Sequence, residues 1–253
     1  MARGGARHIW AGVEPARLGV HARRHIAARG RPEGSFTLAP YAHCLGDVER
    51  AVTCALGVSE HACTAALGAR WWPDAPRDHY GARPDLARIV RAVVRLMRPA
   101  IVVETGVAQG VTTAVILQAM AENGQGHLFS VDCPPPIADD GYVGSLVPAR
   151  LRSRWTLRTG PCCDELPPLL ARLATIDLFL HDSDHTYGAQ LAEYEHAWPR
   201  LRGGGLLVSD DVDHSAFMDF AAEVGAAPRL VGAPSSRSGI GVLRKPVDTV
   251  LAR

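Results

Sequence analysis

Several functional classes are excluded by what this sequence lacks. Lys and Arg total 27 against 26 Asp and Glu, a net charge of +1, so there is no basic surplus to bind nucleic acid or another polyanion non-specifically. No apolar run reaches the roughly 18–20 residues that span a bilayer, which argues against a membrane protein. The first 35 residues are basic (Arg3, Arg7, Arg17, Arg23, Arg24, Arg29 and Arg31 against Glu14 and Glu33) and lack the apolar stretch of a secretory signal. The cysteines (Cys44, Cys54, Cys63, Cys133, Cys162, Cys163) form no C-x-x-C pair and no zinc-ribbon spacing, and read as free, mostly buried thiols. Lys245 is the only lysine, a compositional bias that carries no function. There is no internal repeat and no low-complexity tract. What is left is a soluble, cytoplasmic protein whose 253 residues, 47% hydrophobic, make one large domain or a domain with an extra lobe.

The organisation changes near residue 80. Residues 1–80 read as an extension and helical cap. Gly, Ala and Arg dominate its first part, Asp47 and Ser59 can cap two short helices, and Trp71-Trp72-Pro73 acts as a breaker. Residues 81–253 alternate strands and helices. Asp85 caps an amphipathic helix carrying Leu86, Ile89, Val90, Val93, Val94 and Met97, and Pro99 ends it. Strands are expected at 100–104, 127–131, 155–158, 176–180, 206–209, 229–231 and 240–244. Helices are expected at 111–122, from 163, at 187–201 and at 216–224, with Gly203-Gly204-Gly205 as a turn. This alternation specifies an α/β, Rossmann-like, doubly wound parallel sheet of seven strands, with every strand's carboxyl end on the edge where ligands bind.

Glu104-Thr-Gly106-Val-Ala108-Gln-Gly110 joins the first strand to a helix, where backbone N–H groups can approach a ligand. The nicotinamide fingerprint needs Gly at 106, 108 and 111, and this chain has Gly, Ala and Val. The pattern acid-x-Gly-x-small-x-Gly instead resembles motif I of the class I S-adenosylmethionine-dependent methyltransferases. In that family the acid ending the second strand, here Asp132, accepts both ribose hydroxyl hydrogens. A structural turn with an incidental aspartate is the alternative.

Asp182 ends the fourth strand, and Asp210 and Asp211 end the fifth. In the methyltransferase strand order that the resemblance implies, these two strands are neighbours about 5 Å apart, where three carboxylates would repel one another unless compensated. All-oxygen ligation points to a hard cation such as Mg²⁺. Helix capping by Asp184, Asp211 or Asp213 is the alternative. His185, three residues after Asp182, can face the same pocket and accept a proton near neutral pH.

The stretch Asp177-Leu-Phe-Leu-His-Asp-Ser-Asp-His-Thr-Tyr187, followed by Trp198-Pro-Arg-Leu-Arg-Gly-Gly-Gly-Leu-Leu-Val-Ser-Asp-Asp211, resembles the metal-dependent O-methyltransferases of natural-product pathways. These include the macrolide-sugar and aminocoumarin-sugar enzymes and the cephalosporin-biosynthesis methyltransferase-type proteins. The likeness runs from about Asp85 to Arg244. It implies Asp182, Asp210 and Asp211 as Mg²⁺ ligands and His185 as general base. It also implies a cofactor site of Glu104 (amino group), Gly106, Ala108, Gly110, Thr112 (carboxylate), Asp132 and Asp182. Where the family often has Asp or Ser, this chain reads Gly160-Pro-Cys-Cys163, which puts Cys162 at the small-residue position by the adenine. The implied activity is Mg²⁺-dependent O-methylation of a small hydroxylated acceptor, with homo-oligomerisation through the N-terminal region. The alternatives are a non-methylating or hydroxylase-associated enzyme on the same fold and a catalytically silent binding module. No N/D-P-P-Y/W motif for nucleic-acid methylation is present.

Overall fold

A computed structural model describes residues 45–46, 55–56, 84–134, 141–212, 216–231 and 239–247. The expected helices at 48–56 and 61–67, the Trp71-Trp72 breaker and the boundary near residue 80 lie mostly or wholly outside these residues.

Alternation produces the sheet. Its strands are β1 (Leu45–Gly46), β2 (Ile101–Thr105), β3 (His127–Asp132), β4 (Trp155–Thr159), β5 (Ile176–His181), β6 (Leu201–Ser209), β7 (Arg229–Val231) and β8 (Ile240–Arg244), in the order β1-β7-β8-β6-β5-β2-β3-β4. Seven strands are those expected. The two-residue β1 adds an eighth at the edge, so the N-terminal region contributes a strand to the sheet as well as any cap. The sheet is mixed, which corrects the wholly parallel reading. β8 runs antiparallel to both β6 and β7, because the short 232–238 connection is too brief for the crossover that parallel strands need. The chain winds from β2 to β4 in one direction and continues from β5 on β2's other side, which places the topological switch between β2 and β5.

Among the described residues, the faces are covered by α1 (Pro84–Met97), α2 (Val111–Asn123), α3 (Cys162–Leu173), α4 (Tyr187–Ala197) and α5 (Ala216–Glu223). Side chains alternate across each strand, so one sheet yields two cores. Val102, Leu128, Leu178, Leu206 and Val242 pack with α1 and α2. Val103, Val131, Phe179, Leu207 and Leu243 pack with α3, α4 and α5. α1 begins at Pro84 with Asp85 in its first turn, one step inside the expected capping position. α4 stops at Ala197 where Pro199 intervenes, and a 3-10 turn (Trp198–Arg200) leads straight into β6. The glycines 203–205 therefore lie within β6, where the pairing with β5 shifts register, and not in a separate turn. No described helix is long and apolar enough to cross a membrane.

The end of β2 comes unusually near β5. Gly106 has φ +83°, and a Cβ there would lie 2.0 Å from the carbonyl oxygen of Asp182. Gly124, which closes α2, has φ +73° and nothing within 4 Å of the same built atom. Both glycines are left-handed, and only the first is crowded. Gly124→Ala should therefore lose about 1 kcal/mol, the left-handed penalty alone. Gly106→Ala should lose about 2–4 kcal/mol because backbone must also move. Urea denaturation of the two variants checks this, and equal losses would contradict it.

Candidate active site

The glycine turn is built by backbone conformations that side chains resist. Gly106, Ala108 and Gly110 take φ of +83°, +47° and +90°. Asp132, at the end of β3, holds the turn: its Oδ2 accepts the Ala108 N–H at 2.9 Å. Burial pushes its carboxyl up, and hydrogen bonds from the backbone of Ala108, Cys133 and Val107 pull it back. Gly110 precedes α2 without any side-chain cap, so the N–H groups of the first turn, which includes the buried Thr112, have no capping side chain.

Glu104 is fully buried one residue before the end of β2. Its Oε2 accepts from Thr113 Oγ1 (2.8 Å) and Ser130 Oγ (2.7 Å), while its Oε1 has no hydrogen-bond partner among the described residues. Burial is the main cause that pushes this carboxyl up to about 8, with Asp182 and Asp132 adding to it. Thr113 is the residue in the first turn of α2 that binds Glu104.

β5 and β6 are adjacent, as the carboxylate reading requires. The ladder continues past both strands, with Asp182 N–H on the Thr105 carbonyl and Asp210 N–H on the His181 carbonyl, each at 2.9 Å. Asp211 takes a left-handed φ of +46°, and the Gln190 side-chain amide from α4 holds that turn through the Asp211 carbonyl at 3.0 Å. His185 stands between the acids. Its Nδ1 is 3.0 Å from Asp211 Oδ2 and its Nε2 is 3.7 Å from Asp182 Oδ1. Burial alone would lower the imidazole, but the two carboxylates override it and push it up to about 10. Burial in turn raises the Asp182 carboxyl, with His185 opposing. Imidazolium is therefore the compensating charge for Asp182 and Asp211 here. No group of three or more His, Cys, Asp or Glu among the described residues stands ready to hold a metal ion. Asp184 accepts the Thr186 N–H at 3.0 Å, and Thr186 caps α4, so that aspartate is occupied as a turn residue.

A second polar cluster lies beneath this edge on the α4 face. Glu193 Oε2 receives His181 Nδ1 (2.7 Å) and Thr105 Oγ1 (2.5 Å), and Glu193 Oε1 receives Ser183 Oγ (2.7 Å). Burial pushes Glu193 up, but His181 and these hydrogen bonds hold it below the usual carboxylate range. One side chain thus ties the ends of β2 and β5 to the loop carrying Asp182 and His185. Cys162, the first residue of α3, hydrogen-bonds Ser183, and burial pushes its thiol far up, with the Glu193 charge adding to it. It touches this cluster, which marks it as structural support in addition to any adenine contact. The sequence reading missed Glu193, His181 and Gln190. Their signal was there: Gln190, Glu193 and Ala197 share a helix face with Leu191 and Tyr194, and polar groups on a buried stripe need partners.

Residues 103–212 match the protein family described as a methyltransferase domain. This span contains every candidate site residue. No curated protein matches the sequence. Among solved structures, cofactor-bound Rv0187 from MTB is 18% identical over 93% of this chain and 100% of its own, with a TM-score of 0.54. The O-methyltransferase TomG from Streptomyces achromogenes, in complex with SAM, is 16% identical over 79% of this chain and 96% of its own, with a TM-score of 0.52. An O-methyltransferase from Bacillus cereus in complex with SAH is 14% identical over 88% and 96%, with a TM-score of 0.50. The fold is that of the class I methyltransferases.

The Glu193 cluster makes a pH-dependent contribution to stability. Its folded value lies below the ordinary 4.5, so the contribution is present above that pH and is lost as acid titrates through the folded value. Glu193→Gln should remove about 3–5 kcal/mol at pH 7, the scale for breaking a buried charged contact. Its stability should also fall less steeply than wild type between pH 5 and 3. Parallel acid profiles in urea denaturation would contradict this.

Proposed function

We propose that this chain, whose residues 103–212 form a methyltransferase domain, transfers a methyl group from S-adenosylmethionine to a hydroxyl of a small acceptor. The observation that carries O-methylation is His185, on the loop after β5, placed between Asp182 and Asp211. The cofactor reading has its own support. Glu104 Oε1 is a buried acceptor with nothing to accept, the kind of group an ammonium satisfies. Asp132 keeps a carboxylate at the end of β3 for ribose hydroxyls, and the uncapped start of α2, with Thr112, suits the carboxylate of the amino-acid tail.

In the reaction, an acceptor oxygen attacks the sulfonium methyl in line. A C–O bond forms, the C–S bond breaks with its electron pair passing to sulfur, and the hydroxyl proton leaves to His185. The protein supplies position and a dry electrostatic setting. His185 can accept that proton only when Asp182 and Asp211 do not hold it as imidazolium. The donor chemistry of Asp182, Asp210 and Asp211 fits a hard divalent cation, and these three would be its ligands. Bound there, Mg²⁺ would stabilise developing negative charge on the acceptor oxygen. With Asp182 and Asp211 so engaged, His185 would return toward its ordinary 6.5 and serve as base. The closed contact of His185 with both carboxylates is the observation that favours the second reading, a binding module that does not turn over.

Acceptor identity, a small natural-product-type molecule, and homo-oligomerisation through the N-terminal region belong to this proposal. Labelled methyl transfer against catechols, glycosides and hydroxylated peptides, with and without Mg²⁺, decides between the readings. Turnover should appear with Mg²⁺ and vanish in chelator. His185→Gln should lower it by about two to four orders of magnitude while leaving S-adenosylhomocysteine affinity nearly unchanged. Full activity in excess chelator would refute the role of the aspartates, and cofactor binding without any transfer would support the second reading.

A further inference from the structure

The glycine turn and Glu104 are joined by a line of hydrogen bonds that the methyl-transfer reading does not use. It starts at Trp155, the first residue of β4. The indole sits where Gly144 leaves room for it: a Cβ on Gly144 would lie 2.2 Å from Trp155 Cη2. Arg152 lies over the same ring, 5.4 Å from its centroid, and donates to the carbonyls of Gly144 (2.7 Å) and Val147 (3.1 Å). That segment is itself strapped to the glycine turn, through Gly144 N–H on the Ala108 carbonyl (2.8 Å) and Leu146 N–H on the Gln109 carbonyl (2.9 Å). The indole is thus wedged in one orientation.

From there the direction of each hydrogen bond is forced. Trp155 Nε1 is a donor only, and it lies 2.9 Å from Ser130 Oγ, which must accept. The Ser130 proton is then free to go to Glu104 Oε2 at 2.7 Å, where Thr113 also donates. Two hydroxyls converge on one carboxyl oxygen, and the other has none. A protonated Oε1 would need an acceptor and an ionised one would need a donor, and the described residues supply neither.

We propose that Trp155 and Ser130 are positioning residues that lock the Glu104 carboxyl with Oε1 reserved for the amino group of the bound cofactor. The inference rests on the S-adenosylmethionine reading above and extends it to residues outside the motif. It has a consequence in protons. The charged groups felt at Glu104 are Asp132 at the end of β3 and Asp182 at the end of β5, both acidic, while α2 and β4 present the uncharged Thr113 and Trp155. The empty carboxyl is raised to about 8 and is mostly protonated at pH 7. An arriving ammonium favours the carboxylate, so the proton must leave.

Calorimetric titration of the full chain with S-adenosylhomocysteine, in buffers of low and high ionisation heat, counts that proton. Wild type should release about one proton per ligand at pH 7 and almost none at pH 9. Glu104→Gln, neutral at every pH, should bind more weakly and release none. Ser130→Ala removes a donor that stabilises the carboxylate. It should weaken binding about 5–20-fold at pH 7 and move the loss of proton release to higher pH. Trp155→Phe, which frees the Ser130 hydroxyl to turn away, should act in the same direction with a smaller effect. Binding by wild type with no dependence on buffer would overturn the inference alone. So would proton release in Ser130→Ala and Trp155→Phe that follows the wild-type pH curve. Absence of wild-type binding would overturn the cofactor reading and this inference together.

Discussion

Negative charge crowded on one edge of the sheet is the constraint around which this structure is arranged. Glu104, Asp132, Asp182, Asp210 and Asp211 all stand at the carboxyl ends of β2, β3, β5 and β6, and Glu193 reaches the same level from α4. Like charges this close would raise one another's pKa and work against folding. For five of them the answering group is plain. Backbone N–H groups meet Asp132, hydroxyls and an elevated pKa answer Glu104, and His181 answers Glu193. His185 serves Asp182 and Asp211 together. Protons and dipoles thus offset much of the negative charge along this edge. On the proposed reading, a bound cation or ammonium would take over a role that a proton fills here.

Strand alternation explains why two separate polar clusters serve one edge. Glu104 and Ser130 share a face with Val102 and Leu128, so their cluster crowns the core under α1 and α2. Thr105 and His181 share the opposite face with Val103 and Phe179, and their cluster with Glu193 crowns the core under α4. Below each crown the packing is apolar, and above it lies the ligand edge. Because the clusters sit at the β2–β5 switch point, they support neighbouring parts of the same edge. The first holds the glycine turn and the second holds the loop from Asp182 to His185.

Much of this was legible in the sequence because it is local. The helical spacing from Leu86 to Met97, the short apolar runs and the bounding prolines and glycines gave seven strands and their helices nearly in place. Glu104, Asp132, Asp182 and Asp210 could be placed because each ends a strand, and strand ends of a doubly wound sheet share an edge. The rest depends on long-range partners. The antiparallel β8 follows from a connection length, and β6 absorbed its glycines because pairing with β5 outweighed their preference for turns. The charge on His185 is set by Asp182 and Asp211 together, and the Asp211 contact, between the loops that follow β5 and β6, has no sequence period. The role of Glu193 is set by Thr105, His181 and Ser183, which only the fold brings to its helix face, and that of Trp155 by Ser130 on the neighbouring strand.

The central claim is that the edge formed by β2, β3 and β5 receives S-adenosylmethionine. A crystal structure of the protein with S-adenosylhomocysteine tests it most directly. The account predicts the ribose on the Asp132 carboxylate, the amino group within hydrogen-bonding distance of Glu104 Oε1, and the tail carboxylate at the first turn of α2. A ligand seated elsewhere, with Glu104 Oε1 still unpartnered, would contradict it.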